Sequence, residues 1–427
     1  MNHTFSRRNF IQNLIIGVLL CTTIGLFVQT QVYNLGQTPS SYFSQLIGAT
    51  PDDLTVQNLS GAALSTPVSV VVSTSFGRYG SPHISTQDTE FTLLKDLLAQ
   101  GLSALSATAS GTNEPTFLQA IDSSSIYFDF QLPLPSSVIA GMVGLTETAN
   151  QTQMQRLVLA PDDTNAVLLY WWDGDDTYAY ITTDIDLVAF YELQESYQAD
   201  NVFFAFEGSS LSSQLNNLDP FSLFDTTTAA YPQLSATTPT WNETTLLTQL
   251  GFNPYTNSRY TETNGTQVVF QEDDRLYLSA DGTVHYESDG QSRQLTLSLT
   301  QSTITAYGLS SSASYLLHSL LSSMMGEASL AISAYTQLDT QTIITFDYQI
   351  QGIPIALSHG QPAATMVLEG NVVTDLTIYP RQYYQDDSDS LLLPLAQAAA
   401  VATRGSNLTI SYVDYSASNL SAMWIYR

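Results

Sequence analysis

The sequence predicts an α+β protein in which one N-terminal transmembrane helix precedes a multi-domain region of antiparallel β-meanders, each packed by helices. Three observations predict this fold class. An uncharged apolar stretch lies near the N-terminus, and short alternating segments are separated by Asn-Gly and Asp-Gly turns. A few other segments repeat apolar residues at spacings of three and four, which is the helical period.

The apolar stretch is long enough to span a membrane. Leu14–Val28 carries no charge, and with its polar flanks the stretch covers Ile11–Thr30, about the 20 residues that a spanning helix needs. Arg7 and Arg8 precede it, and basic residues stay on the cytoplasmic side. We therefore expect a cytoplasmic tail over residues 1–10, a transmembrane signal anchor over 11–30 and an extracytoplasmic remainder.

Other interpretations of the N-terminus stay open. A cleaved signal peptide requires an A-x-A-like site, which Gln29–Tyr33 does not offer. A lipidated Cys21 requires small residues before it, whereas Val18–Leu20 are bulky. Twin-arginine export is a further alternative, because Ser6–Ile11 resembles that signal.

Charge and composition limit the possible functions. The chain has 427 residues with 11 Lys and Arg against 39 Asp and Glu, and two of the arginines lie in the first 30 residues. The remainder therefore has nine basic and 39 acidic residues, a net charge of −30. Such a surface repels phosphate backbones, which argues against nucleic-acid binding. Cys21 is the only cysteine, so the exported part cannot form internal disulfides or cysteine-based sites.

The residues that follow the anchor divide into four predicted parts. Residues 31–66 are polar and indicate a stalk, and residues 67–208 alternate between strand and helix patterns that predict an α+β domain. Residues 209–240 contain Pro220, Pro232 and Pro239 and have weak periodicity, so we interpret them as a linker. Residues 241–427 form the second α+β domain, built from two meander-plus-helix units.

Within the two domains, individual elements can be predicted. The predicted strands and helices that matter below are a half-buried strand over Ser125–Leu132, a strand over Leu295–Leu299, and helices over Asn242–Leu250, Ala313–Met325 and Leu391–Thr403. Asn264-Gly265 and Asp281-Gly282 predict hairpin turns.

The residues of the second domain resemble a known family. The segments that carry the resemblance are Leu250–Pro254, Tyr260, Glu262–Thr266, Leu276–Val284, Phe346–Tyr348, Gly352–Ile355, Tyr412 and Trp424. They are similar to the C-terminal region that the YycH and YycI proteins of Gram-positive bacteria share. The length and the additional N-terminal domain favour YycH. The resemblance covers about residues 242–427, and outside them only the order of elements and the single anchor agree.

The resemblance implies a regulatory, non-enzymatic role. YycH and YycI are accessory regulators of the WalK/YycG sensor histidine kinase, whose response regulator controls cell-wall metabolism. They act through membrane helices packed beside those of the kinase and through their ectodomains. We therefore expect the kinase, and a YycI-like protein, as partners, with no cofactor and no catalytic residue.

Small residues on the membrane helix suggest where a partner helix would pack. Gly17, Cys21 and Gly25 are spaced at i, i+4 and i+8, so they form one stripe on one face. We interpret this stripe as a partner-binding seam, although small residues are also common in membrane helices in general.

Chemistry that would indicate other functions is sparse. His83, His285, His318 and His359 show no zinc-ligand spacing, and we place His318 on the exposed side of its helix. The acidic clusters 173–176 and 386–389 could bind Ca²⁺, but they lack EF-hand spacing and are more typical of solvated turns. We predict no metal site.

An anchored module that binds a cell-wall fragment or Ca²⁺ is the alternative function. Tyr170, Trp171 and Trp172 could form a sugar platform. Because they alternate along a strand, we expect at least one face of that strand to pack in the core. Hydrolysis by Ser and His or by paired carboxylates is a third, weaker possibility.

Overall fold

The structure is a computed structural model that describes residues 67–84, 89–145, 152–197, 200–210, 213–226, 230–289, 295–299, 304–415 and 418–426. The predicted tail, anchor and stalk, residues 1–66, lie outside these described residues. Among the helices that are described, none is long and apolar enough to cross a membrane.

The fold is α+β, as predicted, with mostly antiparallel sheets and few helices. The first sheet has seven strands in the order β2-β1-β4-β5-β6-β7-β3, all antiparallel. Their bounds are β1 Ser69–Thr74, β2 Gly77–Ser81, β3 Ser110–Thr112, β4 Ser125–Pro135, β5 Gln153–Pro161, β6 Val167–Trp172 and β7 Tyr178–Thr182. The helices of this region are α1 Thr89–Ser103, α2 Glu114–Asp122, α3 Ser136–Met142 and α4 Leu187–Gln194.

The first sheet is buried on both faces, which the alternation in its fourth strand did not predict. Ser125–Leu132 was expected to be half-buried, but the first six residues of β4 are all buried. Phe128 faces the main core, whereas Tyr127 packs in a second cluster with Phe204 and Phe221. The prediction was wrong because the chain after residue 200 returns to cover the face that was expected to meet solvent.

The segment predicted as a linker contains paired strands. β8 Val202–Phe204 pairs with β9 Leu223–Asp225, and β10 Pro232–Thr237 lies between two later strands, β20 Gln382–Asp389 and β22 Asn419–Leu420. These strands are only two to eight residues long, and the partners of β10 lie far along the chain. Local periodicity therefore carried little information about them.

The second large sheet has eleven strands in the order β11-β12-β13-β14-β19-β18-β16-β17-β21-β23, and β15 pairs with β16 off this path. Their bounds are β11 Arg259–Thr261, β12 Gln267–Gln271, β13 Asp274–Leu278, β14 Val284–Glu287, β15 Ser329–Gln337, β16 Gln341–Ile350, β17 Ile353–Leu357, β18 Ala364–Glu369, β19 Val372–Ile378, β21 Leu408–Asp414 and β23 Ala422–Tyr426. The predicted hairpin turns are confirmed, because Gly265 and Gly282 link β11 to β12 and β13 to β14, both with φ of +89°. Pairing of β14 with β19 joins the two predicted meanders into one sheet.

Three helices accompany this sheet: α5 Glu243–Gln249, α6 Ala306–Leu321 and α7 Leu395–Val401. The first agrees with prediction, and Asn242 caps it by accepting a hydrogen bond from the Thr245 amide. The second starts before the predicted Ala313, because Thr305 caps it and its Ser-rich first turns carry few large apolar residues. The third excludes Leu391–Leu393, since Pro394 disfavours helical geometry in the residue before it. Leu295–Leu299 is not a strand; only Thr296 forms a bridge, to Val372.

The two large sheets share one continuous apolar core. Gly141 in α3 lies against the ring of Tyr307 in α6, so close that a Cβ on Gly141 would clash with that ring. Gly352, in the turn between β16 and β17, likewise lies against the carbonyl of Ile84, with no room for a Cβ. The apolar cluster extends from Val70 to Tyr412 across both sheets. The predicted domain boundaries themselves stay a prediction.

Candidate functional site

An open groove of about 790 Å³ lies on the eleven-stranded sheet, and we call it the Trp241 groove. It is lined by Thr238–Trp241 and Glu243, the turn before β12, the β13–β14 turn, the end of β17, Tyr379–Arg381 and Asp414. Its volume falls in the range of about 300–1,000 Å³ that is typical of small-molecule sites. The groove brings together residues from across the second half of the chain.

One wall of the groove is held by the β13–β14 turn. The indole Nε1 of Trp241 donates a 2.7 Å hydrogen bond to the carbonyl of Gly282. Gly282 has a left-handed backbone, and a Cβ there would lie 3.0 Å from the methyl of Thr238 and 3.5 Å from Pro380. Glycine therefore permits both the turn and its close approach to the opposite wall.

A buried ion pair forms the floor. Arg381 donates from Nε and Nη2 to the two carboxylate oxygens of Asp414, at 2.6 and 3.0 Å, and from Nη1 to Thr238 Oγ1 at 2.9 Å. Tyr383 also donates to Asp414, at 2.9 Å. The bidentate geometry fixes the guanidinium plane. A second tyrosine, Tyr348, donates to the carbonyl of Tyr379 and accepts from the Arg381 amide.

The protonation states of this floor are fixed near neutral pH. Burial opposes the charge on Arg381, but hydrogen bonds and the negative charge from Asp414 outweigh burial and raise the pKa of Arg381. Burial, reinforced by Asp414, raises the pKa of Tyr383, and burial raises that of Tyr348. The floor therefore presents a guanidinium neutralised by its partner and phenols that stay protonated.

A second feature is an exposed apolar strip beside the terminal strand β23. Three hydrogen bonds hold residues 390–398 along it: Ala422 N to Ser390 Oγ, Trp424 Nε1 to the Leu393 carbonyl, and Tyr426 Oη to the Ala398 carbonyl. The apolar strip consists of the large exposed apolar side chains of these two segments and of the end of α7, namely Leu391, Leu393, Val401, Met423 and Tyr426. Leu391 is 97% exposed, which is unusual for a leucine.

The predicted seam residues Gly17, Cys21 and Gly25 lie outside the described residues, so the structure does not bear on them. The first acidic cluster is a self-contained turn, in which the Asp173 carboxylate accepts from the amides of Asp175 and Thr177 at 3.0 Å each. The second was expected to be a turn but belongs to strand β20, with its carboxylates exposed. Within the described residues, no three His, Cys, Asp or Glu side chains are grouped to hold a metal ion.

The proposed sugar platform on β6 is a packing element, as the alternation predicted. Trp171 is buried in the main core, whereas Tyr170 and Trp172 point to the other face. The guanidinium of Arg156 contacts the rings of both Trp172 and Phe221, whose centres lie 4.5 and 4.4 Å away. Arg156 also pairs with Asp129 and Asp219, so this cluster is closed to ligands.

The histidines occupy different environments. Burial lowers the pKa of His83 to about 4, and its Nδ1 has no hydrogen-bond partner among the described residues. His285 contacts Asp375 at 2.8 Å, and this hydrogen bond raises the pKa of His285. His318 is exposed on its helix, as predicted.

Sequence reasoning did not find Trp241, Tyr379, Arg381 or Asp414. Each lies in a segment without a recognisable motif, and the four come together only through sheet pairing and the β13–β14 turn. One signal in the sequence could have indicated the site. The chain has only 11 Lys and Arg residues, so Arg381, directly after Pro380, is a rare cation. No family model, curated protein or solved structure matches this chain.

Proposed function

We propose that this protein is a membrane-anchored extracytoplasmic regulator of a two-component sensor histidine kinase that controls cell-wall metabolism. It acts without catalysis, by protein contacts made through its membrane helix and its folded part, alone or with a YycI-like partner. The observation that carries the proposal is the placement of the residues that resemble the YycH and YycI proteins. Most of them lie on two groups of strands of one sheet, β11–β14 with their turns and β16, β17, β21 and β23.

These residues support one another in the fold. Phe252, directly after α5, packs edge-on against Tyr286 of β14, with ring centres 6.1 Å apart. The Asn253 amide donates to the side chain of Gln271 at the end of β12. The strand Gly352–Ile355 continues the same sheet and pairs in parallel with β21 near Tyr412. A resemblance carried by mutually packed residues is better support for a shared fold than isolated motifs are.

The apolar strip supplies a surface for the contact in the folded part. β23 is the last strand of its sheet, and its outer edge makes no backbone hydrogen bond to another described strand. An open edge beside exposed apolar side chains is suited to an extended segment of a partner. Asp386, Asp387 and Asp389 lie on β20, just before the strip begins. The complementary partner segment therefore combines apolar residues with basic ones.

The membrane contact is tested by exchanging the helix. Replacing Ile11–Val28 with an unrelated membrane helix is expected to abolish regulation of the kinase while the protein still folds and reaches the membrane. The measurement is transcription from a promoter of the response regulator in the native host. Unchanged output after the exchange would defeat the helix-docking part of the proposal.

The ectodomain contact needs its own variant. Leu391→Ser with Leu393→Ser is expected to reduce co-purification of the kinase from solubilised membranes. Tyr255→Ser, which changes another exposed side chain, in the loop between α5 and β11, is the control. A kinase that is recovered equally with all three proteins contradicts the assignment of the strip.

A second candidate function is an anchored ligand-binding module, and the Trp241 groove is the observation that favours it. Ligand binding to the folded state raises its stability, so a thermal-shift series with muropeptides and Ca²⁺ separates the two candidates. The groove favours an organic ligand over Ca²⁺, since its floor is occupied by a guanidinium.

A further inference from the structure

The side chains around the Trp241 groove combine aromatic rings with uncharged polar groups. Trp241 and Tyr379 are half-buried, so part of each ring remains open to the groove that it lines. Both rings are held in place, Trp241 by its bond to Gly282 and Tyr379 by a contact of 3.3 Å from Gln361 Nε2 to its hydroxyl. Rings that are fixed before binding lose little conformational entropy when a ligand packs on them.

The polar groups of the rim are mostly neutral. Gln267 and Gln361 are exposed at the two sides, and Ser279 and Ser358 contribute hydroxyl groups. Amides and hydroxyls both donate and accept hydrogen bonds, so they suit a ligand that carries many hydroxyl groups.

Charge in the groove excludes most anions. Arg381 is neutralised by Asp414 at the floor, and Glu243 is paired with Arg259 at 2.7 Å. The remaining lining charge is Asp281, and the whole chain carries a net charge of −28. An anionic ligand would be repelled both at long range and in the groove, so the charge argues against an anion and is compatible with a neutral ligand.

The sheet around the groove argues against a peptide. The strands that contribute lining residues, β12, β13, β17 and β21, are each paired on both sides with other described strands. The groove therefore offers no strand edge to which an extended peptide could add. A ligand must be recognised through its faces and its hydroxyl groups instead.

We infer that the Trp241 groove binds a neutral oligosaccharide. A sugar ring has an apolar face of C–H groups, which packs on an aromatic ring, and a rim of hydroxyl groups, which bind amides and hydroxyls. The groove presents this combination, and its volume of about 790 Å³ leaves room for more than one sugar ring. The inference is independent of the proposed regulation of a kinase.

The test uses the full chain in lipid nanodiscs, which avoids sugar-based detergents. It is titrated with chitotetraose, cellotetraose and maltotetraose by calorimetry, with the acidic tetragalacturonate as a charge control. We expect at least one neutral tetrasaccharide to bind with a Kd on the order of 10⁻⁴ M, and the acidic one to give no heat. Absence of binding for all three neutral oligosaccharides overturns the inference.

Variants locate the binding. Gln361→Ala and Trp241→Phe are expected to weaken it by about tenfold, because each removes one fixed contact. Gln397→Ala changes an equally exposed glutamine on α7 and should leave the Kd unchanged. Because Gln361 is exposed, its variant tests the site even if the tryptophan variant folds poorly. Binding that survives both groove substitutions also overturns the inference.

Discussion

Arg156 and Arg381 each join several side chains. Arg156 lies in a closed cluster, whereas Arg381 lies at an open groove. Arg156 contacts two aromatic rings and links two carboxylates, with its side chain only 2% exposed. Arg381 binds one buried carboxylate, and its outer side reaches Thr238 at the groove. The same residue type therefore packs in a closed cluster in the seven-stranded region and lines an open groove in the eleven-stranded one.

The physical difference is the number of covering layers. The face that carries Arg156 is covered by residues that return after position 200, including Phe221 and Asp219. The groove face has no comparable cover, because the groove is open and is bordered by turns and strand ends, among them the β13–β14 turn and residues 238–241. Water can therefore solvate part of the Arg381 cluster, whereas the Arg156 cluster depends wholly on its own partners.

The largest expected effect is that of removing Arg156. Arg156→Met should reduce the free energy of unfolding by about 3–5 kcal/mol, because Asp129 and Asp219 are left without their buried counter-ion. The measurement is urea unfolding of the full chain in nanodiscs, followed by far-ultraviolet circular dichroism. Arg404→Met, at an exposed position, is the control and should change stability by no more than about 0.5 kcal/mol.

Removing Arg381 sharpens the comparison. Arg381→Met should reduce the free energy of unfolding by about 1–2 kcal/mol, which is less than the reduction expected for Arg156→Met. The loss is smaller because water that enters the groove can solvate part of the charge on Asp414. The same unfolding experiment measures it. An Arg381 variant that loses as much stability as the Arg156 variant would show that the groove floor is as dry as the closed cluster.

A matched pair of glycines tests how closely the groove walls approach. Gly282 and Gly265 have the same φ of +89°, but only Gly282 would place a Cβ within 3.0 Å of a neighbour outside its own hairpin. Both alanine variants should lose roughly 1–2 kcal/mol from backbone strain. Gly282→Ala should reduce the free energy of unfolding by more than Gly265→Ala does. It should also weaken oligosaccharide binding. Equal losses would mean that Thr238 moves aside freely.

The smallest expected effects are changes in stability with pH, which come from two histidines in different environments. His83 is half-buried with its Nδ1 shielded from water, and its lowered pKa keeps it neutral, so its contribution to stability is present above the unfolded pKa of about 6.5 and is lost as the pH falls towards about 4. Between about pH 7 and pH 5.5 the free energy of unfolding of the parent protein should fall by about 1 kcal/mol because of His83. This fall should be absent in His83→Gln. Thermal midpoints at several pH values measure this difference.

His285 has the opposite sign. Its bond to Asp375 raises its pKa, so its contribution is present below the unfolded pKa of about 6.5 and is lost as the pH rises through the folded pKa. His285→Gln should therefore lower the thermal midpoint in mild acid and leave it unchanged at about pH 8. A variant of either histidine that shifts stability equally at all pH values contradicts the assigned protonation.

The sequence predicted local structure well where the signals were local. The helix predicted from Asn242 and the turns at Gly265 and Gly282 follow from the properties of a few neighbouring residues. The start of α6 was missed because its first turns are rich in serine and poor in large apolar residues. The predicted helix wrongly included Leu391–Leu393, because the effect of Pro394 on the residue before it was not considered.

What the sequence by itself determined is the fold class, most hairpins and the excess of negative charge, because propensity, alternation and composition act within short segments. Only the tertiary structure decided which face of β4 is buried, that β10 joins strands from the far end of the chain, and that Trp241 and Arg381 share one groove. These features depend on pairing between residues that are distant in sequence. Their energies come from burial and hydrogen bonds formed together, which no single segment encodes.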